Sequence, residues 1–201
     1  MSHSPATLLT HRLSTPLGDM LACASNTGLC LLEFAETPAD ELRLQKALAD
    51  LHRLLGATPT PGSNTPIRQA HEQLQEYFNG ARRDFSVALH APGTAFQQRV
   101  WNGLLRIPYG QTVSYQEEAQ AIGQPQAVRA VANANGANRL AIVIPCHRIP
   151  GKDGAMTGHG GGIAPQRLIN HNHLHDCPLP KRRSSSLHTW IILATWAIRP
   201  C

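Results

Sequence analysis

The sequence predicts an α/β protein in which a small sheet-containing N-terminal domain precedes a mostly helical C-terminal domain. Residues 7–34 consist of short apolar runs separated by turn-forming residues, which is typical of antiparallel strands. Residues 38–78 contain two segments with apolar side chains at helical spacing. From residue 95 onward, short helical patterns with capping signals predominate. Pro92-Gly93 marks the expected boundary, with domains over 1–91 and 92–172 and an atypical tail over 173–201.

The N-terminal half is predicted to contain an antiparallel meander followed by two helices and a further strand. The turns of the meander are signalled by Ser14-Thr15-Pro16-Leu17-Gly18-Asp19 and by Asn26-Thr27-Gly28. A one-sided leucine stripe that includes Leu42, Leu44 and Leu54 predicts the first helix, which Gly56 is suited to end. The predicted strands are 8–13, 20–25, 29–34 and 84–89, the helices are 38–55 and 67–78, and 56–66 is a loop.

The C-terminal half is predicted to contain a helix-turn-helix. A helix over 95–105 is broken by Ile107-Pro108-Tyr109-Gly110. Ser114 and Glu117 then form a capping-box pattern for a short helix over 115–122, and a turn separates it from a second helix over 126–135. Two short helices joined by a tight turn are either an ordinary helical hairpin or a DNA-binding element, and Arg129 in the second helix favours DNA.

Cys146 is the candidate nucleophile. The β-branched run 142–144 predicts a strand that leads to Pro145 and Cys146, and His147 and Arg148 follow directly. Positive charge beside a thiol favours the thiolate, which is the reactive form. The alternative is a buried structural cysteine.

Composition and charge exclude several classes of protein. The 201 residues are 42% hydrophobic and 15% charged, with no apolar run near the roughly 20 residues of a membrane span. The N-terminus lacks a signal-peptide pattern and the five cysteines show no disulfide framework, so a cytoplasmic protein is expected. Residues 1–91 carry seven basic and nine acidic side chains, whereas 92–201 carry eleven and four. The basic C-terminal half indicates a polyanionic partner.

Seven motifs follow one another along residues 94–170: Phe96-Gln97-Gln98-Arg99-Val100-Trp101, Ile107-Pro108-Tyr109-Gly110, Val113-Ser114-Tyr115, Val128-Arg129-Ala130-Val131, Ala134-Asn135-Gly136-Ala137-Asn138, Ile144-Pro145-Cys146-His147-Arg148 and Thr157-Gly158-His159-Gly160-Gly161-Gly162. In these motifs and in their order, residues 94–170 resemble the catalytic domain of the O6-alkylguanine-DNA alkyltransferases. The strand–helix N-terminal half also resembles the ribonuclease H-like N-terminal domain of that family. This resemblance implies direct, one-turnover repair of O6-alkylguanine, and of O4-alkylthymine, in double-stranded DNA.

By resemblance, four residues carry the chemistry. Cys146 attacks the alkyl carbon in one in-line displacement, and His147 takes the thiol proton through a water. Tyr115 protonates N3 of the departing guanine, and Asn138 anchors the turn beside the cysteine. Arg148 is expected to brace the domain.

The resemblance also implies the DNA-binding residues. The target nucleotide must be flipped out of the duplex before Cys146 can reach it. Arg129 is expected to enter the base stack and fill the vacated space. Ala130 lets the second helix approach the minor groove closely, and Ser114 is expected at the same DNA-binding surface.

The last part of the chain departs from the family pattern. His159 stands where the family has Tyr, Pro165 interrupts the expected closing helix, and Asn172 stands where a Glu orients the base histidine. Lowered activity is therefore expected. The tail 173–201 has the composition of a segment translated out of the ancestral frame. No metal or cofactor is expected, because Cys23 and Cys30 do not reproduce the zinc ligands of some relatives, and alternating histidines in a tail are weak ligand candidates.

Two rival functions stay open at this stage. The first is a non-catalytic or weakly active alkyltransferase-like protein that binds the lesion; such relatives lack the cysteine, so Cys146 favours chemistry. The second is a thiol-based DNA-binding regulator, which would need a second thiol near Cys146. A monomer is expected in each case.

Overall fold

The computed structural model of the chain describes residues 7–149 and begins with a four-stranded sheet. The strands are β1 Leu8–Thr15, β2 Gly18–Ala24, β3 Leu29–Phe34 and β4 Pro59–Pro61. The first three form the predicted antiparallel meander, and the short β4 adds parallel to β1, so the order across the sheet is β3-β2-β1-β4. The α/β class and the meander are confirmed.

Strand β4 was not predicted, because its sequence is Pro59-Thr60-Pro61. Proline lacks a backbone donor and is therefore confined to sheet edges. The edge position suits it here: β4 pairs only on its β1 side, where Leu9 lies opposite Thr60. A three-residue strand of this composition carries no periodic signal.

Helices α1 (Pro38–Leu55) and α2 (Thr65–Phe78) follow the predicted pattern. Thr37 and Asp40 form a capping box at the start of α1, and Gly56 ends it with φ 68°, a left-handed conformation that glycine adopts without strain. The predicted stripe was partly wrong: Leu44 and Leu51 are buried, but Leu42 is 70% exposed and Leu54 45% exposed.

Residues 92–149 form three helices and one 3₁₀ turn: α3 Ala95–Leu104, α4 Tyr115–Ala121, α5 Val128–Gly136 and the 3₁₀ turn Cys146–Arg148. The predicted helix-turn-helix is confirmed as α4 and α5, and both α3 and α4 pack on α5. Trp101 of α3 donates its indole N–H to the carbonyl of Ala134 of α5 at 2.9 Å.

Two predicted strands are wrong. Residues 84–89 and 142–144 are not strands; the first segment has only the isolated parallel bridge Leu29–Leu89, and the bridge Leu32–Leu140 lies just before the second. Turn hydrogen bonds, such as Ile144 N–H to the Leu140 carbonyl at 2.9 Å, use the backbone groups that a strand would pair. Ile142 has φ 71°, which a β-branched residue rarely adopts. Cys146 is thus delivered by a buried turn rather than by a strand.

The main apolar core runs from one face of the sheet into the C-terminal helices. Met20 and Phe34 of the sheet, Leu74 of α2, Trp101 of α3 and Ile144 belong to the same buried cluster. A second cluster, around Cys23, Cys30 and Leu51, lies between the sheet and α1. The N-terminal half therefore packs directly against the segment that carries Cys146.

Candidate active site

Cys146 is the first residue of the 3₁₀ turn and is 6% exposed. Its N–H donates to the Ile144 carbonyl at 2.8 Å, and its own carbonyl accepts from Ile149 N–H at 3.2 Å. His147, the next residue in the turn, is 1% exposed. Cys146 and His147 are therefore consecutive residues of one buried turn.

Asn138 ties together the two ends of the buried turn before Cys146. Its side-chain amide donates to the Ile144 carbonyl at 2.9 Å, and its amide oxygen accepts from Leu140 N–H at 2.9 Å. Asn138 is 7% exposed, so water does not compete strongly for these groups. The side chain holds the left-handed Ile142 between two anchored residues, which stabilises a backbone that would otherwise be strained.

Arg148 holds the opposite side of the turn. Its guanidinium donates to the Ile107 carbonyl at 2.5 Å and lies 5.9 Å from the centre of the Tyr109 ring. Its carbonyl accepts from Val113 N–H at 3.0 Å. Burial lowers the pKa of Arg148 from its ordinary value. These contacts connect the 3₁₀ turn to the Ile107-Pro108-Tyr109-Gly110 segment before α4.

Ser114 caps the first helix of the helix-turn-helix. Its Oγ accepts from Glu117 N–H at 3.2 Å and donates to Glu117 Oε2 at 2.8 Å, which confirms the predicted capping box. Hydrogen bonds from the backbone and side chain of Ser114 lower the pKa of Glu117. Ser114 itself is exposed. Ser114 is therefore at the surface, although its hydroxyl already donates its proton to Glu117 within the cap.

Tyr115 joins the two helices of this element. It is partly buried against the core cluster that also contains Cys146, and its hydroxyl accepts from the Asn135 side-chain amide of α5 at 3.3 Å. Asn135 is 3% exposed. The sequence interpretation assigned no role to Asn135, although it lies in the Ala134-Asn135-Gly136 motif. An asparagine beside a glycine at the end of a helix more often indicates a helix cap. The sequence pattern therefore gave no sign of the contact between Asn135 and Tyr115.

Arg129 and Ala130 lie on the exposed side of α5, whereas Val131 and Ala134 are buried. The structure thus brings Cys146, His147 and Asn138 together and connects Tyr115 to α5. Ser114, Arg129 and Ala130 are exposed to solvent. Other predicted features lie outside the described residues: His159, Pro165, Asn172, the alternating histidines and the tail 173–201.

Comparison with known proteins places the chain in a family. Residues 95–172 match the domain family described as 6-O-methylguanine DNA methyltransferase, DNA binding domain, and residues 8–91 match its ribonuclease-like domain. A methylated-DNA–protein-cysteine methyltransferase of Mycobacterium tuberculosis is 52% identical over 112 residues, which are 56% of this chain and 66% of that protein.

Two further matches extend over more of the chain. A crystal structure of Mycobacterium tuberculosis OGT in complex with DNA superposes with a TM-score of 0.67 at 38% identity, covering 86% of this chain and 95% of that one. The constitutive methylated-DNA–protein-cysteine methyltransferase of Bacillus subtilis is 45% identical over 139 residues, which are 63% of this chain and 84% of that protein. The chain therefore belongs to the 6-O-methylguanine DNA methyltransferase family.

Proposed function

We propose that this protein repairs alkylated DNA directly, by moving the alkyl group of O6-alkylguanine to Sγ of Cys146. O4-alkylthymine is the second substrate, because it presents the same alkyl–oxygen bond on a ring. The observation that carries the proposal is the turn that holds Cys146 beside His147, fastened by Asn138. The names of the relatives support the same reaction.

The reaction is a single displacement. The Cys146 thiol loses its proton to His147, through a water, and the thiolate attacks the alkyl carbon. The new S–C bond forms as the C–O6 bond breaks, and the electron pair of that bond goes to the guanine ring. Tyr115 supplies a proton to ring N3, so that guanine departs neutral. The thioether is stable and the protein acts once, without a cofactor.

Exposed residues of α5 supply the route to the base. The target base is reached only after it leaves the stack, which costs a few kcal/mol. Arg129 is exposed on α5 and can fill the gap in the stack, while the small Ala130 beside it allows a close approach to the groove. The excess of basic side chains in residues 92–201 supports binding to the phosphate backbone. The partner is therefore double-stranded DNA that carries alkylated bases.

The protein is proposed to act as a monomer in the cytoplasm, where reducing conditions keep the Cys146 thiol available. Cys23 and Cys30 are unbridged thiols in the described part of the chain, which fits such a compartment. Among residues 7–149, no helix has the length and apolar character of a membrane span.

The deciding experiment is intact-mass spectrometry after incubation with an O6-methylguanine duplex. One added methyl group per protein is expected, and peptide mapping should locate it on Cys146. Cys146→Ala should bind the lesion duplex without gaining mass. Lesion binding by the wild-type chain without methyl transfer would instead support the non-catalytic lesion-binding protein. A disulfide at Cys146 that changes DNA affinity, again without transfer, would support the thiol-based regulator.

A further inference from the structure

The segment between α5 and the Cys146 turn is built onto the edge of the N-terminal sheet. Leu32 N–H of β3 donates to the Arg139 carbonyl at 2.8 Å, and Ala141 N–H donates to the Leu32 carbonyl at 2.9 Å. These two bonds form the isolated bridge between Leu32 and Leu140. The backbone immediately before the turn is therefore aligned by a strand of the other half of the molecule.

The Arg139 side chain makes a second connection, to helix α1. Its guanidinium donates to Asp50 Oδ2 at 3.0 Å and to the Pro92 carbonyl at 3.4 Å. Its side chain is 23% exposed and that of Asp50 is 31% exposed, so the pair is partly shielded from water. Hydrogen bonds from Arg53 and from Arg139 lower the pKa of Asp50, which is therefore charged at neutral pH.

This ion pair crosses a cleft of about 270 Å³ rather than a packed interface. Its walls combine apolar residues with polar and charged ones, among them Glu33 of β3, Arg43 and Lys46 of α1, and Asn138. Because a cleft opens between α1 and residues 136–139, a polar contact across it has more influence on the position of that segment than it would have in a fully packed interface.

The path from this ion pair to the thiol is short. Arg139 is bonded directly to Asn138, whose amide donates to the Ile144 carbonyl. The same carbonyl accepts from the N–H of Cys146. A displacement of Arg139 therefore reaches the hydrogen bond that orients the first residue of the 3₁₀ turn.

We propose that Asp50 is a positioning residue for alkyl transfer, acting through Arg139 on the turn that carries Cys146. Asp50 belongs to α1 and is distant from Cys146 in the sequence, but it holds the guanidinium of Arg139, and the backbone of Arg139 leads directly into the turn. The proposal rests on the alkyl-transfer function given above. Its consequence is that the N-terminal half tunes the rate of the chemical step.

The test compares two salt bridges of the same carboxylate. Asp50 also accepts from Arg53, one turn further along α1, at 3.2 Å, and that contact does not reach the Cys146 turn. The full chain is used as wild type, as Asp50→Asn and as the matched control Arg53→Gln. Single-turnover alkyl transfer from the base O6-benzylguanine is followed over a range of concentrations, together with the thermal midpoint and the affinity for undamaged duplex.

Asp50→Asn is expected to lower the saturating rate constant between about threefold and tenfold, in line with coupling through a contact network. The half-saturating concentration, the duplex affinity and the thermal midpoint should change little. Arg53→Gln should stay within about twofold of wild type. Asp50→Glu keeps the carboxylate and should recover most of the rate. The double variant Asp50→Asn with Arg139→Gln should be no slower than the slower of its two single variants, because both substitutions remove the same contact.

Several results would overturn the inference. Asp50→Asn that behaves like Arg53→Gln would show that the ion pair does not act on the turn. If Asp50→Asn loses rate together with a lower thermal midpoint, and Asp50→Glu does not recover the rate, the role of Asp50 is purely structural. In both cases the wild type still transfers the alkyl group, so the proposed function survives. A wild type that transfers nothing contradicts the proposed function and this inference together.

Discussion

The sheet and the 3₁₀ turn both bury cysteine, but they give it different surroundings. Cys23 of β2 and Cys30 of β3 are fully buried between the sheet and α1, and burial raises the pKa of Cys23 to about 12 and also raises that of Cys30. Cys146 is nearly as buried, at 6% exposed, but begins a turn in which the next side chain is His147. Burial by itself therefore does not distinguish a structural thiol from a candidate nucleophile.

The difference lies in what each backbone conformation brings to the sulfur. Strands present alternate side chains to one face, so the sheet thiols meet apolar neighbours such as Leu8, Leu44 and Leu51. An apolar wall disfavours the thiolate. In the 3₁₀ turn, the residue directly after Cys146 is a histidine and the next is an arginine. Cys146 is therefore distinguished from the sheet thiols by its neighbours in the sequence, and its depth of burial is similar to theirs.

The largest effect is expected from exchanging the cysteines themselves. Cys146→Ser should abolish methyl transfer from an O6-methylguanine duplex, because a hydroxyl is far less readily deprotonated than a thiol. Cys23→Ala should keep the wild-type transfer rate within about twofold. Transfer is measured by intact mass and peptide mapping. Methyl found on Cys23 or Cys30 of the native protein would contradict the comparison.

The next largest effect separates access to the base from reactivity at the turn. Arg129→Ala should slow repair of the duplex by roughly a hundredfold, because base flipping costs a few kcal/mol that the arginine is proposed to offset. Reaction with the base O6-benzylguanine should be nearly unchanged. Arg99→Ala, which removes an exposed basic side chain from α3, is the matched control. Equal slowing of both reactions would assign Arg129 to the fold.

A smaller effect tests the turn directly. Asn138→Ala removes two buried hydrogen bonds, each worth about 0.5–1.5 kcal/mol, and leaves a carbonyl and an N–H of the turn less well satisfied. Transfer from O6-benzylguanine should fall about tenfold and the free energy of unfolding by about 1–3 kcal/mol. Asn133→Ala, at an exposed position of α5, should change neither quantity. A fast Asn138→Ala protein would show that the turn holds its shape without this amide.

The smallest expected effect concerns the pH dependence of stability at the sheet edge. Burial there raises the pKa of a carboxyl, as it raises the pKa of the sheet thiols. Burial raises the pKa of Glu33 from 4.5 to about 7, with Arg43 and Arg139 opposing and Asp40 reinforcing the shift. The folded state then holds a proton that the unfolded state releases, so stability falls as pH rises from about 4.5 to 7. Glu33→Gln should therefore raise the free energy of unfolding at pH 8 by up to about 3 kcal/mol and change it little near pH 4.5.

Urea unfolding at the two pH values checks this prediction. Glu72→Gln, at an exposed position of α2, provides the control and should have no pH-dependent effect. If Glu33→Gln changes the free energy of unfolding equally at both pH values, the Glu33 carboxyl stays charged in its cleft. Burial at this edge would then shift a pKa less than it does at the sheet thiols.

The sequence predicted elements whose signal is local. Short apolar runs and turn signals indicated β1–β3, and the helices followed from periodicity and from caps such as Ser114 with Glu117. Strand β4 was missed because Pro59-Thr60-Pro61 carries no periodic signal, and it forms only by pairing in parallel with β1. The strand expected over 142–144 was wrong because its β-branched composition is also that of a fully buried turn, and local propensity does not distinguish the two.

By itself, the sequence determined the α/β class, the helix-turn-helix and the identity of Cys146 and His147 as neighbours, since these depend on residue order and short-range spacing. Only the tertiary structure decided which backbone groups Asn138 holds in the turn before the thiol, that Asn135 contacts Tyr115, and that Asp50 of α1 contacts Arg139. These contacts join residues from 6 to 89 positions apart. Their formation depends on how the sheet and helices pack, which the spacing of residues along one chain does not specify.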